Sequence, residues 1–251
     1  MEDDLTFDFS FDVTGQIWQI AIDDASGSIA VEIREEEDQK MYFLIFNIQT
    51  LEVSDYLAID QADWWTTLVS VKSQYLFLDK YLDPQDPTKK SLLVFDSASE
   101  SLMKELEDFQ LSHISKEGLV GTKASDRAIE QKFPIPELRI DMKEPVELRN
   151  ATHPVFYSEG SDSFDLAKTF LDQEIFLGVE YWEGRNHIII SYYIRSGAKF
   201  DRKLLVLREE EEYVDLILDK GLEGFASGAF LIISDYLVFI QGSNQINGIK
   251  L

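Results

Sequence analysis

His187-Ile188-Ile189-Ile190-Ser191-Tyr192-Tyr193-Ile194-Arg195, then a polar reversal through Ser196, Gly197 and Asp201, then Lys203-Leu204-Leu205-Val206-Leu207-Arg208: this stretch decides the fold. Two apolar runs flank a hydrophilic turn, and neither run alternates polar with apolar residues. A strand with one wet face does alternate, so the pattern predicts a hairpin covered on both faces.

Working outward, the same unit recurs along the chain. Leu5 to Val13 places Phe7, Phe9 and Phe11 on one side and Thr6, Asp8, Ser10 and Asp12 on the other, as an outside strand should. Ile17–Ile22, Ser28–Ile33, Met41–Phe46 and Leu51–Ile59 follow as a four-strand meander. A second unit opens at Trp64-Trp65 and runs on to Val71, then continues with Tyr75–Leu78 and Ser91–Asp96. Its loop from Tyr81 to Lys90 holds Pro84 and Pro87, where no ladder can continue. Ser99 to Phe109 fits either a helix capped by Ser99 or a fourth strand.

The third unit is expected from His113-Ile114, Gly118–Thr122 and Ala128–Ile135. Asn150 to Gln173 reads as an insertion: a loop through His153-Pro154, then a short helix from Ser163 to Leu171. That helix should pack Phe164, Leu166, Ala167, Phe170 and Leu171 inward. Glu174–Glu183, the opening hairpin and Tyr213–Leu218 make the fourth unit. Phe230–Ile233, Tyr236–Ile240 and Ile246–Leu251 make a fifth that is one strand short. The amino-terminal strand is the missing piece, and its docking there would remove two exposed edges.

Third strands begin near residues 41, 91, 128, 203 and 246, a spacing close to the roughly 40–50 residues of a propeller blade except across the insertion. The chain resembles the β-propeller superfamily of WD40-like and quinoprotein-like repeats. More narrowly, Trp64-Trp65 opening one blade and Tyr192-Tyr193 late in the chain resemble uncharacterised bacterial propeller-like proteins. The expected fold is all-β: a single domain over residues 1–251, with about five four-stranded antiparallel blades, closed by pairing of the terminal strands, and one inserted loop-helix segment. A β-sandwich or an up-and-down barrel competes, because it too spaces strands by regular turns.

Composition narrows the partners. Lys and Arg total 23 against 47 Asp and Glu, a formal charge of -24. That field repels phosphate backbones and anionic lipid, so neither nucleic acid nor a membrane surface is expected. There is no cysteine, hence no thiolate metal site, and no apolar segment long enough to span a bilayer. The start Met1-Glu2-Asp3-Asp4 lacks the basic and apolar regions of a secretory signal, so a soluble, cytoplasmic protein is expected. No cofactor and no metal are expected. The runs Glu35–Asp38 and Glu209–Glu212 keep loops hydrated and edges unpaired.

On a ring of blades, one rim would gather Asp60, Asp63, Trp64, Trp65, Tyr81, Asp83, Asp86, His153, Tyr157, Lys199 and Arg202. The strongest candidate is Trp64-Trp65. Adjacent strand residues face opposite ways, so one can pack while the other stacks on a sugar or a cation. The plainer reading is that both fill gaps between blades. Asp63, Asp83 and Asp86 admit a carboxylate pair for glycoside hydrolysis or oxygen ligands for calcium, although loop acids are common in so acidic a chain. His113 and His187 fall at strand positions and read as structural; His153, beside Pro154, reads as accessible. Walker A, the dinucleotide glycine fingerprint, His-Glu-x-x-His and Gly-x-Ser-x-Gly are missing from the sequence. The expected function is a non-catalytic binding or protein-interaction scaffold. Its contacts would be Trp64, Trp65, Asp63, Tyr81, Asp86, His153, Tyr157 and Arg202, and its partner a protein or small polar ligand. The alternative is a carbohydrate-active hydrolase.

Overall fold

The computed structural model describes residues 7–115, 118–134, 151–209 and 211–251. Expectations for Leu5, Thr6, Ile135, Asn150 and Glu210 lie outside these residues. Among them the chain is all-β with one helix. It opens with β1 (Phe9–Asp12). A first meander follows: β2 (Gln16–Asp23), β3 (Ser28–Glu35), β4 (Lys40–Asn47) and the short β5 (Glu52–Val53). A second holds β6 (Thr66–Lys72), β7 (Tyr75–Tyr81), β8 (Lys90–Asp96) and β9 (Ser101–Glu107). A third has β10 (Phe109–Ser115), β11 (Gly118–Lys123) and β12 (Glu130–Phe133). Then come β13 (Val155–Ser158) and α1 (Asp162–Lys168). β14 (Phe176–Gly184), β15 (His187–Ser196), β16 (Lys199–Arg208) and β17 (Glu211–Leu222) form one run, and β18 (Phe230–Ile233), β19 (Tyr236–Gln241) and β20 (Gln245–Lys250) end the chain.

The strands form five antiparallel sheets, but not uniformly of four strands. The third sheet has three among the described residues, and the fourth has five. The extra strand is β13, inside the segment expected to be a loop. It pairs with β14 from Val155 opposite Tyr181 to Ser158 opposite Gly178, with Tyr157 packed against the sheet and Val155 and Phe156 exposed. Ser101–Glu107 is a strand, so the repeat overrode the helical spacing of Leu102, Leu106 and Phe109.

The chain divides into two compact units, residues 14–150 and residues 1–13 with 151–251. In the first, Ala30, Phe43, Leu68, Leu76, Leu78 and Leu93 pack one face of the β2–β5 sheet on the β6–β9 sheet. Phe77, Leu92, Val94, Phe109 and Leu119 then join that sheet to β10–β12. Because β7 and β8 are covered on both sides, the side chains of Tyr75–Asp79 and of all of β8 are buried whichever way they point.

In the second unit the β15–β16 hairpin forms as its sequence predicts, with Ile189, Ile190, Tyr192, Tyr193, Leu204 and Val206 all buried. One face packs on β18–β20 and the other carries α1. The Ser161 hydroxyl caps the helix by accepting from the Phe164 amide, and Phe164 and Ala167 are buried. Leu166, expected to point inward, is 59% exposed, because so short a helix offers the sheet only one narrow stripe. β1 pairs with β20, placing the amino-terminal strand on the last sheet, with Phe9 opposite Gly248. The Phe9 ring lies across Gly248, where an added Cβ would come within 2.0 Å of it, so glycine at 248 is what admits the terminal strand.

β2, β6 and β10 are each the edge strand of their sheet. Each carries a bulge: register shifts between Ile17 and Gln19, Leu68 and Ser70, and Leu111 and His113 leave Trp18, Val69 and Ser112 unpaired. A bulge disrupts the ladder and keeps an edge from recruiting another strand.

Candidate functional site

The bulge at Trp18 creates the most distinctive surface of the 14–150 unit. Glu32 and Arg34, two residues apart on β3, share one face of the strand. Glu32 is fully buried; its Oε2 accepts from the Leu68 amide at 2.7 Å and the Thr67 hydroxyl at 3.0 Å, both on β6. Its Oε1 accepts from Arg34 Nε at 2.7 Å. The remaining Arg34 donors reach the carbonyls of Trp64 at 3.1 Å and Thr66 at 2.9 Å. A guanidinium satisfied in its own plane still presents its two faces to aromatic rings. The Trp18 and Trp64 rings sit 4.5 and 5.0 Å from its central carbon.

Trp64 and Trp65 lie in the turn before β6 rather than on the strand, which corrects the reason for their opposite exposure. Asp63 makes that turn: its Oδ1 accepts from the Trp65 amide at 2.9 Å, and its own amide donates to the Thr66 hydroxyl at 3.0 Å. The Trp65 carbonyl accepts from the Tyr81 amide at 3.0 Å. Asp63, Trp64, Trp65 and Tyr81 are thus brought together, and Trp65 is 50% exposed. Trp18, 54% exposed, and Arg34 were missed. The signal for them was Glu32-x-Arg34, two opposite charges inside an otherwise covered run, which must pair with each other and with backbone.

The other acids of the predicted rim are turn-formers. Asp83 accepts from the Gln85 amide and Asp86 from the Thr88 amide and hydroxyl, and Lys89 bridges them at 3.1 and 3.5 Å. These hydrogen bonds, with Lys89, hold both carboxyls below the usual carboxylate range. Asp60 is exposed. In the other unit, His153 is exposed and Lys199 faces Glu223 at 3.6 Å. Tyr157 packs 6.0 Å from the ring of Tyr181, whose hydroxyl is pushed up to about 12 by burial and by its hydrogen bond to Glu183. Arg202 does not sit on an open rim. It is 7% exposed, paired with Asp219 at 2.5 Å and donating to the Ala226 carbonyl at 3.1 Å. His187 is buried, its Nδ1 2.8 Å from the Arg185 carbonyl, while His113 is exposed on β10. Among the described residues no three His, Asp or Glu side chains gather as metal ligands, and no helix is long and apolar enough to cross a membrane.

Residues 22–103 match the model of a domain of unknown function, DUF4905. The matched third of the chain holds Glu32, Arg34, Trp64 and Trp65, but neither Trp18 nor His113. Among solved structures, the β-propeller domain of the Trilobed protease from Pyrococcus furiosus, described as having an open velcro topology, is similar at 12% identity with a TM-score of 0.30. The likeness covers 94% of this chain and 81% of that one. No curated protein matches.

Proposed function

We propose that this chain is a propeller-like, non-catalytic interaction module whose sheets are blades, and that Trp18 and Trp65 are its anchors for a basic protein partner or small polar ligand. The observation that carries this reading is the Trp18–Arg34–Trp64 stack: a buried carboxylate fixes a guanidinium, which fixes one half-exposed indole beside the turn that holds another. Rigid tryptophans are the side chains that most often dominate a contact, since they lose little conformational freedom on binding. The formal charge of -24 favours a basic partner and would speed the encounter. The hydrolase alternative needs a carboxylic acid with a raised pKa, whereas Asp83 and Asp86 are held ionised on an exposed loop.

The test is photo-crosslinking in the native host from position 82, the exposed leucine beside Tyr81, with partner capture compared across the parent, W18A, W65A and the double variant. The double variant should lose capture while its circular dichroism matches the parent, and added salt should weaken the parent's capture. Capture that is indifferent to both tryptophans would overturn the reading, as would turnover of a glycoside substrate that D83N abolishes.

A further inference from the structure

Trp18 bulges out of β2 and is 54% exposed, with the Arg34 guanidinium 4.5 Å from the centre of its ring. An indole carries negative π density on both faces, and one guanidinium covers only one of them. Among the described residues no second ring or cation lies against Trp18, so its outer face is open to solvent. The inner face is fixed. Glu32 and the carbonyls of Trp64 and Thr66 take the Arg34 donors, and the Arg34 side chain is 10% exposed. Glu32 also cancels the Arg34 charge, so the indole does not stand in front of a net cation.

The same hydrogen bonds bring the end of β3 beside the turn before β6, and acids follow the one and precede the other. Beyond Arg34 comes the turn holding Glu36, Glu37 and Asp38; before Trp64 stand Asp60 and Asp63. Lys40 answers Asp38 at 2.7 Å, and Lys80 lies 3.9 Å from Asp63. Glu36, Glu37 and Asp60 are exposed and make no ion pair among the described residues.

We propose that the outer face of Trp18 takes an arginine side chain from a basic protein segment, with Glu36, Glu37 and Asp60 as the surrounding counter-charge. This rests on the tryptophan anchors proposed above and names the chemistry of their partner. Arginine is preferred to lysine on shape and hydration. A guanidinium is planar and weakly hydrated, so it lies flat on an indole while its edge N–H groups still point at carboxylates. An ammonium is a compact, strongly hydrated charge that gains less from a ring at the surface. The inner face already shows the pairing: Arg34 stacks on Trp18 while a carboxylate and two carbonyls satisfy it in its own plane.

The indole N–H signals of Trp18, Trp64, Trp65 and Trp182 can be resolved by NMR and assigned by substitution. The full chain is titrated with a short peptide alternating glycine with arginine, and with the same peptide carrying lysine in place of arginine. The arginine peptide should move the Trp18 signal and leave Trp182, on β14 of the other unit, unmoved. It should bind about fivefold more tightly than the lysine peptide, the size of one exposed cation–π contact. W18A should erase that preference, whereas E36Q with E37Q should weaken both peptides alike and leave the preference in place. Where W18A fails to fold, W18L supplies the same loss of π surface. Equal affinity for the two peptides, a preference that survives W18A, or a Trp18 signal that neither peptide moves overturns the arginine assignment. Those results leave the interaction module standing wherever partner capture still depends on Trp18 and Trp65; capture indifferent to both overturns the module itself.

Discussion

Glu32 and Glu180 are the same device in the two units of the chain. Each is a buried carboxylate on a strand that reaches the backbone amides of the next sheet: Glu32 to Leu68 on β6, Glu180 to Gly228 at 2.7 Å and Ala229 at 2.9 Å just before β18. They differ in what answers the charge. Glu180 is met by two backbone amides, and among the described residues no side chain donates to it. Glu32 also holds Arg34, and Arg34 carries the contact outward to two indoles. The lesson is that a sheet-to-sheet clamp becomes a surface feature when its counter-charge is long enough to reach solvent. The two Asp–Lys pairs of the 14–150 unit repeat the contrast. Asp23 has four donors, whereas among the described residues Asp79 has Lys90 alone and leaves its Oδ1 buried without a partner.

The largest effect should come from breaking the first comparison. E32L leaves the Arg34 cation without its carboxylate at a site barely open to water and should destabilise by about 3–5 kcal/mol. E180Q, which strands amides but no opposite charge, should lose about 1–3 kcal/mol. Urea midpoints of the two variants measure this, and equal losses would remove the distinction. Next, the double exchange D79L with K90M should be neutral or stabilising by about 1–4 kcal/mol, since a poorly satisfied buried pair gives way to apolar packing. The matching D23L with K72M strands the Ser73 and Ala25 amides and should destabilise by about 1–3 kcal/mol. If both double variants shift the midpoint in the same direction, the contrast between the pairs fails.

Acid titration sharpens the same contrast. Burial pushes the Asp23 carboxyl up, but Lys72, Ser26 and Ser73 together hold it below its ordinary 3.8. Its contribution to stability is therefore complete above the ordinary value and lost as pH falls through the lower, folded one. For Asp79, burial outweighs Lys90 and raises the carboxyl above 3.8. Its site then loses stability as pH rises from the ordinary value to the raised one. Denaturation midpoints across the acid range should show D23N removing a gain with rising pH and D79N removing a loss. The smallest effect belongs to the surface: W65A should change stability by no more than about 0.5 kcal/mol, since half of the ring is already in water.

Most strands were legible in the sequence to within a few residues, because burial on one or two faces writes its period directly into the order of side chains; Leu51–Ile59, expected as a full strand, keeps only Glu52–Val53, and β13 was not foreseen. Phe7, Phe9 and Phe11 announce a one-sided strand, and Ile188 to Ile194 a two-sided one. Ser99–Phe109 was undecided for the same reason: its apolar spacing satisfies both periods, and only the neighbouring β8 selects one. Trp64 and Trp65 were found by their rarity, but their backbone role was not. The bulges at Trp18, Val69 and Ser112 have no sequence mark, since a one-residue slip between paired strands depends on what the partner strand offers.

What the chain's own letters settled is therefore periodic and local: which segments extend, which faces are apolar, where turns interrupt, and that the charge is strongly negative. What required the folded molecule is relational. Arg34 lies between two tryptophans because Glu32 needs a counter-charge at that depth, and the bulges of β2, β6 and β10 arise from how each strand registers with its neighbour. Hydrogen bonds and charge pairs join groups far apart along the chain, and no local pattern records the distance that folding removes between them.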